Sequence, residues 1–198
     1  MMTNKERTII YTAYISLIVC VVSLLFMNIN KSRVLSTVMK DYERFSILSS
    51  VWDNRILELS SIGFDISGVA LRDVDGNIVD LSEVIESKEI TVFRFSTNQC
   101  NTCYESQLEI IGDLMHTTQS DMIFIVSVDT NIMQVELMRK QHSIDAKVYG
   151  LCDEYLPMPV DSAGKPYYFR LSSDCKPKDL FVPDKNFPEL TIQYINRI

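Results

Sequence analysis

Residues 90–103, which read ITVFRFSTNQCNTC, decide the fold and carry the chemistry. Five of the first six are β-branched or aromatic, as is typical of a strand, and residues 101–116 carry apolar side chains at helical spacing. Cys100 therefore stands at a helix start, where unpaired backbone N–H groups and the helix dipole stabilise a thiolate. Cys103 follows one turn later on the same face, where a second thiol can resolve a mixed disulfide. We predict a dithiol that exchanges with disulfides, with Cys100 attacking and Cys103 resolving.

Strands and helices alternate on both sides of this segment. Gly76 marks the turn of a predicted hairpin, and Ser82 is expected to cap a short helix that ends near residue 86. The nearly all-apolar run MIFIVSV is typical of a strand that is covered on both faces. The sequence thus predicts an α/β fold with a mixed sheet. The further predicted elements are hairpin strands 69–72 and 77–81, strand 122–128, helix 131–142, strand 147–149, paired strands 166–171 and 180–182, and helix 187–197.

Composition and charge bound the class of protein. The chain has 198 residues, 46% of them hydrophobic, which suffices for one domain and an anchor. Its formal net charge is −7 and no long basic run occurs, which argues against a nucleic-acid partner because phosphates require clustered Lys and Arg.

An uncharged apolar stretch covers residues 8–27 near the N-terminus. A helix needs about 20 apolar residues to cross a bilayer, and no small-residue cleavage site follows Met27, so we predict an uncleaved anchor rather than a signal peptide. The predicted organisation is a cytoplasmic tail (1–7), an anchor (8–28), a helical linker (29–62) and a globular domain (63–198). Lys and Arg flank the anchor on both sides and do not fix its orientation. The cysteine chemistry favours placing the domain outside the cytoplasm.

The linker has a helical pattern with two interpretations. Residues 31–61 could form a coiled coil that joins two copies in a homodimer, or one amphipathic helix that packs on its own domain. Asp41 and Arg55 interrupt the second seam position, which favours the amphipathic helix. The apolar positions are Val38, Phe45, Trp52 and Leu59, seven residues apart, with Tyr42, Leu48 and Ile56 on the same face.

Residues 63–198 resemble the thioredoxin superfamily, and most closely its membrane-tethered thiol–disulfide reductases of bacterial envelopes. The segments that carry the resemblance are LRDVDGNIVDLSEVI (71–85), the CNTC motif and KPYYFRL (165–171). The resemblance implies a thioredoxin-like mixed sheet flanked by helices, at the extracytoplasmic side of a bacterial inner membrane. It also implies protein substrates, a membrane-bound electron donor and no metal or organic cofactor. Pro166 matches the family's cis-proline, which together with Lys165 would hold the substrate chain.

The sequence departs from the family at three positions. Gln99 stands where the family usually has Trp, and Lys165 precedes the proline where a small or β-branched residue is usual. Arg94 occupies the position six residues before the first cysteine, where relatives have an acidic or amide group. These departures leave the redox potential, proton handling and choice of substrate open.

Arg94 and Glu105 are candidates for tuning the thiols. A desolvated guanidinium requires an anion, and the thiolate, Asp73 or Glu105 could supply it. Arg94 would then lower a thiol pKa, or it would pair with a carboxylate for structure alone. Glu105 could shuttle protons beside Cys103, or simply be stabilised by the helix dipole.

Other readings of the cysteines remain. The CxxC could be structural in a redox-silent binding module, whereas a zinc site would need a second cysteine pair. A peroxiredoxin would require a proline at Phe93, and a copper chaperone of this fold would require three residues between its cysteines. Cys20 is best explained by packing. Cys152 and Cys175 are either unconnected or form a second disulfide, and His116 and His142 are most simply solvated helix ends.

Overall fold

The computed structural model describes residues 4–85, 88–98, 101–114 and 121–197. It divides into two compact units, residues 1–49 and residues 50–198. Helix α1 (Asn4–Ser60) begins in the first unit and ends in the second. Residues 50–62, which the sequence assigns to the linker, therefore share a unit with the globular domain.

The first unit contains the apolar stretch of α1. Among the described residues, one helix is long and apolar enough to cross a bilayer, with a window mean hydropathy of 1.7 and 0% of that window buried. Its exposed side chains include Leu17, Val21, Leu24 and Phe26. This composition agrees with the predicted anchor by length and apolarity.

The second unit is built on one mixed sheet of seven strands, in the order β2-β1-β5-β4-β3-β6-β7. Strand β3 runs parallel to β4, and β4 runs parallel to β5, while the other pairings are antiparallel. The strands are β1 (Ala70–Arg72), β2 (Ile78–Asp80), β3 (Ile90–Phe95), β4 (Met122–Val126), β5 (Ala146–Leu151), β6 (Tyr167–Leu171) and β7 (Lys178–Phe181). The helices after α1 are α2 (Leu81–Ile85), α3 (Asn101–Leu114), α4 (Ile132–Gln141), α5 (Pro159–Ser162) and α6 (Pro188–Arg197).

Strand β3 lies near the middle of the sheet and all six of its residues are buried. Its alternating side chains enter two cores, with Val92 packing in one and Phe93 and Phe95 in the other. Phe93 stacks on Tyr168 of β6, with ring centroids 4.5 Å apart. The predicted α/β fold with a mixed sheet is confirmed, and β3 directs the chain toward the start of α3.

The predicted hairpin forms, but the cap of α2 differs from the prediction. Gly76 has φ +90°, which the turn requires and which L side chains rarely adopt. Helix α2 begins at Leu81, one residue before the predicted cap Ser82. The cap is Asp80, whose Oδ1 accepts hydrogen bonds from the Ser82 amide at 2.8 Å and the Ser82 hydroxyl at 2.6 Å. A carboxylate satisfies the free amides of a helix start and also suits its positive dipole end.

The last turns of α1 pack on the domain through buried polar side chains and the half-buried Leu57. Asn54 and Glu58 are each 5% exposed, and Glu58 Oε1 accepts a hydrogen bond from the Val182 amide at 2.9 Å. The opposite face carries Trp52 and Leu59, each 69% exposed. This segment therefore packs on its own domain, in agreement with the interpretation as an amphipathic helix, although its repeating apolar positions stay exposed. Backbone amides of the domain need acceptors, and Glu58 supplies one where an apolar side chain could not.

Candidate functional site

Cys103 lies in the first turn of the described part of α3 and is half-buried. It is disulfide-bonded, whereas Cys20, Cys152 and Cys175 are free cysteines. Cys100 and Gln99, which complete the predicted motif, lie outside the described residues. The second disulfide that we left open, between Cys152 and Cys175, is thus absent, and burial raises the pKa of the Cys175 thiol.

A cavity of about 170 Å³ opens beside Cys103. Four parts of the second unit form its walls: the end of α1, α3, the segment before β6 and the loop that follows β7. We call this cavity the redox cleft. Its lining residues are Ser50, Asn54, Cys103, Ser106, Gln107, Lys165, Pro166, Pro183, Asp184, Lys185 and Asn186.

Two contacts join the end of α1 to the other walls of the redox cleft. Lys165 Nζ donates a hydrogen bond to Asn54 Oδ1 at 2.7 Å, and Ser50 Oγ donates one to Asp184 Oδ2 at 2.9 Å. Asp184 Oδ1 accepts from the amide and the side chain of Asn186, each at 2.9 Å. Both carboxylate oxygens of Asp184 are therefore occupied, while Lys165 has a neutral partner.

Lys165 and Pro166 line the same cleft as Cys103, but Pro166 is not a cis-proline. No peptide bond among the described residues is cis, so the Lys165–Pro166 bond is trans and our expectation of a cis bond is wrong. The trans form of an X–Pro bond is intrinsically favoured by about 0.5–1 kcal/mol, and only strong local constraints reverse that preference. The side chain of Lys165 donates a hydrogen bond to Asn54 of α1, which lies outside the loop that carries the Lys165–Pro166 bond.

Arg94 is buried, and the carboxylate of Asp161 balances its charge. The Arg94 side chain is 5% exposed and that of Asp161 is 2% exposed, with Arg94 Nε 2.9 Å from Asp161 Oδ1. Arg94 Nη2 donates to Asp161 Oδ2 at 3.2 Å, and Nη1 donates to Phe95 O at 2.7 Å and to Ser127 Oγ at 3.0 Å. Both carboxylate oxygens of Asp161 thus lie close to the guanidinium, with one hydrogen bond from Nη2, while Arg94 Nε has no hydrogen-bond partner among the described residues.

Asp161 is the residue that sequence reasoning missed. It lies in the short helix α5, and it also accepts hydrogen bonds from the Tyr167 hydroxyl at 2.7 Å and the Leu156 amide at 2.8 Å. Burial, reinforced by the negative charge of Asp161, raises the pKa of Tyr167 well above its ordinary value. Arg94 and Asp161 are far apart in the chain, so no local pattern in the sequence connects them.

The two carboxylates that we considered for Arg94, Asp73 and Glu105, lie elsewhere. Asp73 serves the hairpin turn, where its carboxylate accepts from Asp75 and Asn77, and the bond from the Asn77 side chain lowers the pKa of Asp73. Glu105 is exposed and lines a separate groove with residues of α3 and α4. Within the part of the chain that the structure describes, no group of three or more His, Cys, Asp or Glu side chains could hold a metal ion.

Comparisons with known proteins concern the fold. No protein-family model and no curated protein matches the chain. A secreted disulfide oxidoreductase of Mycobacterium tuberculosis, described as homologous to E. coli DsbE, matches 67% of this chain and 97% of its own at 9% identity and a TM-score of 0.49. A thiol:disulfide interchange protein of the thioredoxin family from Chlorobium tepidum matches 67% and 94% at 14% identity and a TM-score of 0.44.

Copper-bound ScoI from Arabidopsis thaliana matches 67% of this chain and 99% of its own, at 14% identity and a TM-score of 0.43. These similarities are distant, and the topology of the chain itself carries the fold assignment. Parallel strands β3 and β4 joined through α3, the antiparallel pair β6 and β7, and the closing helix α6 give a thioredoxin-like fold. The expected fold class is confirmed.

Proposed function

We propose that this chain is a membrane-anchored thiol–disulfide oxidoreductase that exchanges a dithiol for a disulfide with protein partners outside the cytoplasm. The observation that carries the proposal is Cys103, a disulfide-bonded cysteine at the beginning of the helix that follows the central strand, with an open cleft beside it. Cys100 is the proposed partner and the attacking thiol, because a helix start stabilises its thiolate.

The exchange needs no metal or organic cofactor. In the reducing direction, the Cys100 thiolate attacks one sulfur of a partner disulfide, and the other partner sulfur leaves as a thiolate. The Cys103 thiolate then attacks the Cys100 sulfur, which releases the second partner thiolate and leaves Cys100 and Cys103 oxidised. An electron donor returns two electrons and completes the cycle. In the oxidising direction the same steps run in reverse.

The environment of Cys103 suits a resolving thiol. Its side chain is half-buried, while the redox cleft leaves room for a segment of a partner protein. Lys165 and Pro166, to which the family resemblance assigns the substrate chain, line this cleft together with Cys103. We propose that both contact the substrate chain, although Pro166 does so from a trans peptide.

Helix α1 supports the proposed location. Its N-terminal part is apolar, exposed and long enough to span a bilayer. We propose that residues 8–28 anchor the chain in a bacterial inner membrane, with the domain on the extracytoplasmic side and a membrane-bound electron donor nearby. Fusion of alkaline phosphatase at Ile198 tests the orientation: we expect an active enzyme, and an inactive one would contradict this topology.

We also propose that two copies pair through residues 31–61. The repeating apolar positions are exposed, at 57% for Val38, 71% for Phe45 and 69% for Trp52. Two chains anchored in one membrane would present these positions in parallel, as a coiled coil requires. Replacing Trp52→Glu should lower the dimer fraction in detergent, measured by sedimentation equilibrium, whereas Lys147→Glu on strand β5 should not. An unchanged dimer fraction in Trp52→Glu would reject this seam.

The rival function is a redox-silent binding module in which the disulfide is structural. Insulin reduction by the full chain in detergent, with dithiothreitol as the donor, separates the two functions. We expect the wild type to accelerate insulin precipitation and Cys100→Ser to lose that acceleration. Equal rates in the two proteins would favour the binding module.

A further inference from the structure

The redox cleft carries an unbalanced positive charge. Its charged lining residues are Lys165, Lys185 and Asp184. Asp184 is 8% exposed, and each of its carboxylate oxygens already accepts a hydrogen bond. Lys185 is exposed and Lys165 is half-buried. No carboxylate of the described residues lies within ion-pair distance of either lysine.

Lys165 is held in place by a residue that leaves its charge intact. Asn54 Oδ1 accepts from Lys165 Nζ at 2.7 Å, and Asn54 itself is 5% exposed on the buried face of α1. An ammonium has three N–H donors, and the described residues take one of them. A neutral amide fixes the position of the ammonium without neutralising it, so the remaining donors and the charge stay available to a molecule in the cleft.

We propose that the redox cleft selects partner segments with an acidic side chain beside the reactive cysteine. Lys165 is the residue that determines this specificity, and Asn54 positions it. The inference rests on the proposed function, because it assumes that a disulfide substrate occupies the cleft next to Cys103. The membrane-proximal helix thereby takes part in substrate recognition as well as in anchoring.

The preference is local and opposes the overall charge of the protein. The formal net charge of −7 repels acidic substrates at long range. At about 0.15 M salt the Debye length is about 8 Å, so the distant charges are largely screened while a contact in the cleft is screened much less. Rates must therefore be compared at this ionic strength, where the contribution of Lys165 stands apart from the general repulsion.

The test uses the reduced full chain in neutral detergent micelles and three disulfide probes. Two probes are disulfide-linked dimers of matched peptides, with Glu or with Lys on both sides of a single cysteine. The third is hydroxyethyl disulfide, which carries no charge and measures exchange itself. We expect Lys165→Met to reduce the ratio of the Glu-peptide rate to the Lys-peptide rate by about two- to fivefold, the range that partly exposed charge pairs give.

Three further variants assign the effect to the charge. Lys165→Arg should keep the preference, since the cation remains. Asn54→Asp should lower the ratio as Lys165→Met does, because a carboxylate at that position pairs with the ammonium and neutralises it. Lys147→Met, which removes an exposed lysine of β5 outside the cleft, should leave all three rates unchanged.

Two outcomes would overturn the inference while leaving the proposed function intact. In the first, Lys165→Met leaves the rates of all three probes, and so the ratio of the peptide rates, unchanged. In the second, Lys165→Met slows all three probes by the same factor, which would mean that the lysine acts on the thiols. If wild type fails to react with hydroxyethyl disulfide any faster than Cys100→Ser does, the proposed function and the inference fall together.

Discussion

Two cations of the second unit, Arg94 and Lys165, lie in opposite kinds of surroundings. Arg94 is buried, and Asp161, Phe95 O and Ser127 accept its hydrogen bonds. Lys165 is half-buried in an open cleft and has a neutral partner. Arg94 therefore belongs to a closed polar cluster, whereas Lys165 keeps a charge that a substrate can meet. The sequence leaves Arg94 open between tuning a thiol and pairing with a carboxylate, and the family resemblance assigns Lys165 to the substrate chain.

The difference is energetic as well as geometric. A buried ion pair is costly to break, because removal of one partner leaves an uncompensated charge in the interior. Replacing a half-exposed lysine changes the free energy of unfolding little, because water takes the place of the contacts that its neighbours lose. Mutations of the closed cluster should therefore change stability first, and mutations in the cleft should change substrate choice first.

The largest effect is expected for Arg94→Met. The change leaves Asp161 buried without its cation, and we expect a loss of about 3–5 kcal/mol in the free energy of unfolding. Urea denaturation of the full chain in detergent measures it. The double variant Arg94→Met with Asp161→Leu should recover part of the loss, because it removes both charges. A loss below about 1 kcal/mol, the range of exposed pairs, would contradict the claim that Arg94 and Asp161 form a buried pair that stabilises the fold.

Arg94→Met also tests the tuning role that the sequence suggested. Because Asp161 balances the guanidinium charge, we expect the pH dependence of thiol alkylation to be the same in wild type and variant. A higher thiol pKa in the folded variant would show that Arg94 stabilises the thiolate after all.

A smaller effect is expected for Glu58→Ala at the end of α1. Loss of the carboxylate leaves the Val182 amide without its acceptor at a buried position, which costs about 1–3 kcal/mol. The same change should loosen the wall of the cleft that carries Asn54, and so weaken the preference for the Glu peptide. Thermal unfolding and the two peptide rates are the measurements. Glu43→Ala, at an exposed position of the same helix, is the matched control.

Alkaline pH should weaken the closed cluster through Tyr167. Burial raises the pKa of Tyr167 above its ordinary value of 10.0, so the folded state holds the proton that the unfolded state releases. The stability from this group is complete below about pH 10 and is lost as pH rises from there toward the folded pKa. Melting temperatures between pH 8 and pH 11 should fall less steeply in Tyr167→Phe. Parallel slopes in the two proteins would contradict this assignment.

The smallest effect is expected for Glu105→Gln. Glu105 is exposed and lines the groove between α3 and α4, and it is not among the lining residues of the redox cleft. We expect a change below about 0.5 kcal/mol in stability and an unchanged ratio of peptide rates. Its predicted role as a proton shuttle is tested by the resolving step: slower release of the mixed disulfide in Glu105→Gln would support that role.

The regular elements were largely predictable because hydrophobic spacing reports them directly. Strand β3 was predicted with the bounds that the structure has, and its two faces separate Val92 from Phe93 as alternation requires. Strand β5 was expected to be short, yet it extends over Ala146–Leu151, because pairing with both β1 and β4 lengthens it. Helix α5 was missed, since its PVDS sequence is too short to show a period.

The candidate site was only half accessible to sequence reasoning. The motif and the resemblance named Cys103, Lys165 and Pro166, and the structure places all three at one cleft. The partners of the charged residues were missed, because Asp161 and Asn54 approach from distant segments. Tertiary contacts of this kind leave no periodic pattern in the chain, and the cis bond expected at Pro166 likewise depended on surroundings that the sequence does not reveal.

The most direct test of the central claim is a redox titration of the full chain in detergent with glutathione buffers, followed by alkylation and peptide mapping. We predict that Cys100 and Cys103 titrate together as one two-electron couple, while Cys20, Cys152 and Cys175 remain thiols at every potential and are alkylated once the quenched chain is unfolded. A midpoint near about −270 mV would identify a reductant, and one near about −120 mV an oxidant. Alkylation of Cys103 that stays constant across the whole range, or pairing of Cys103 with any cysteine other than Cys100, would contradict the proposed function.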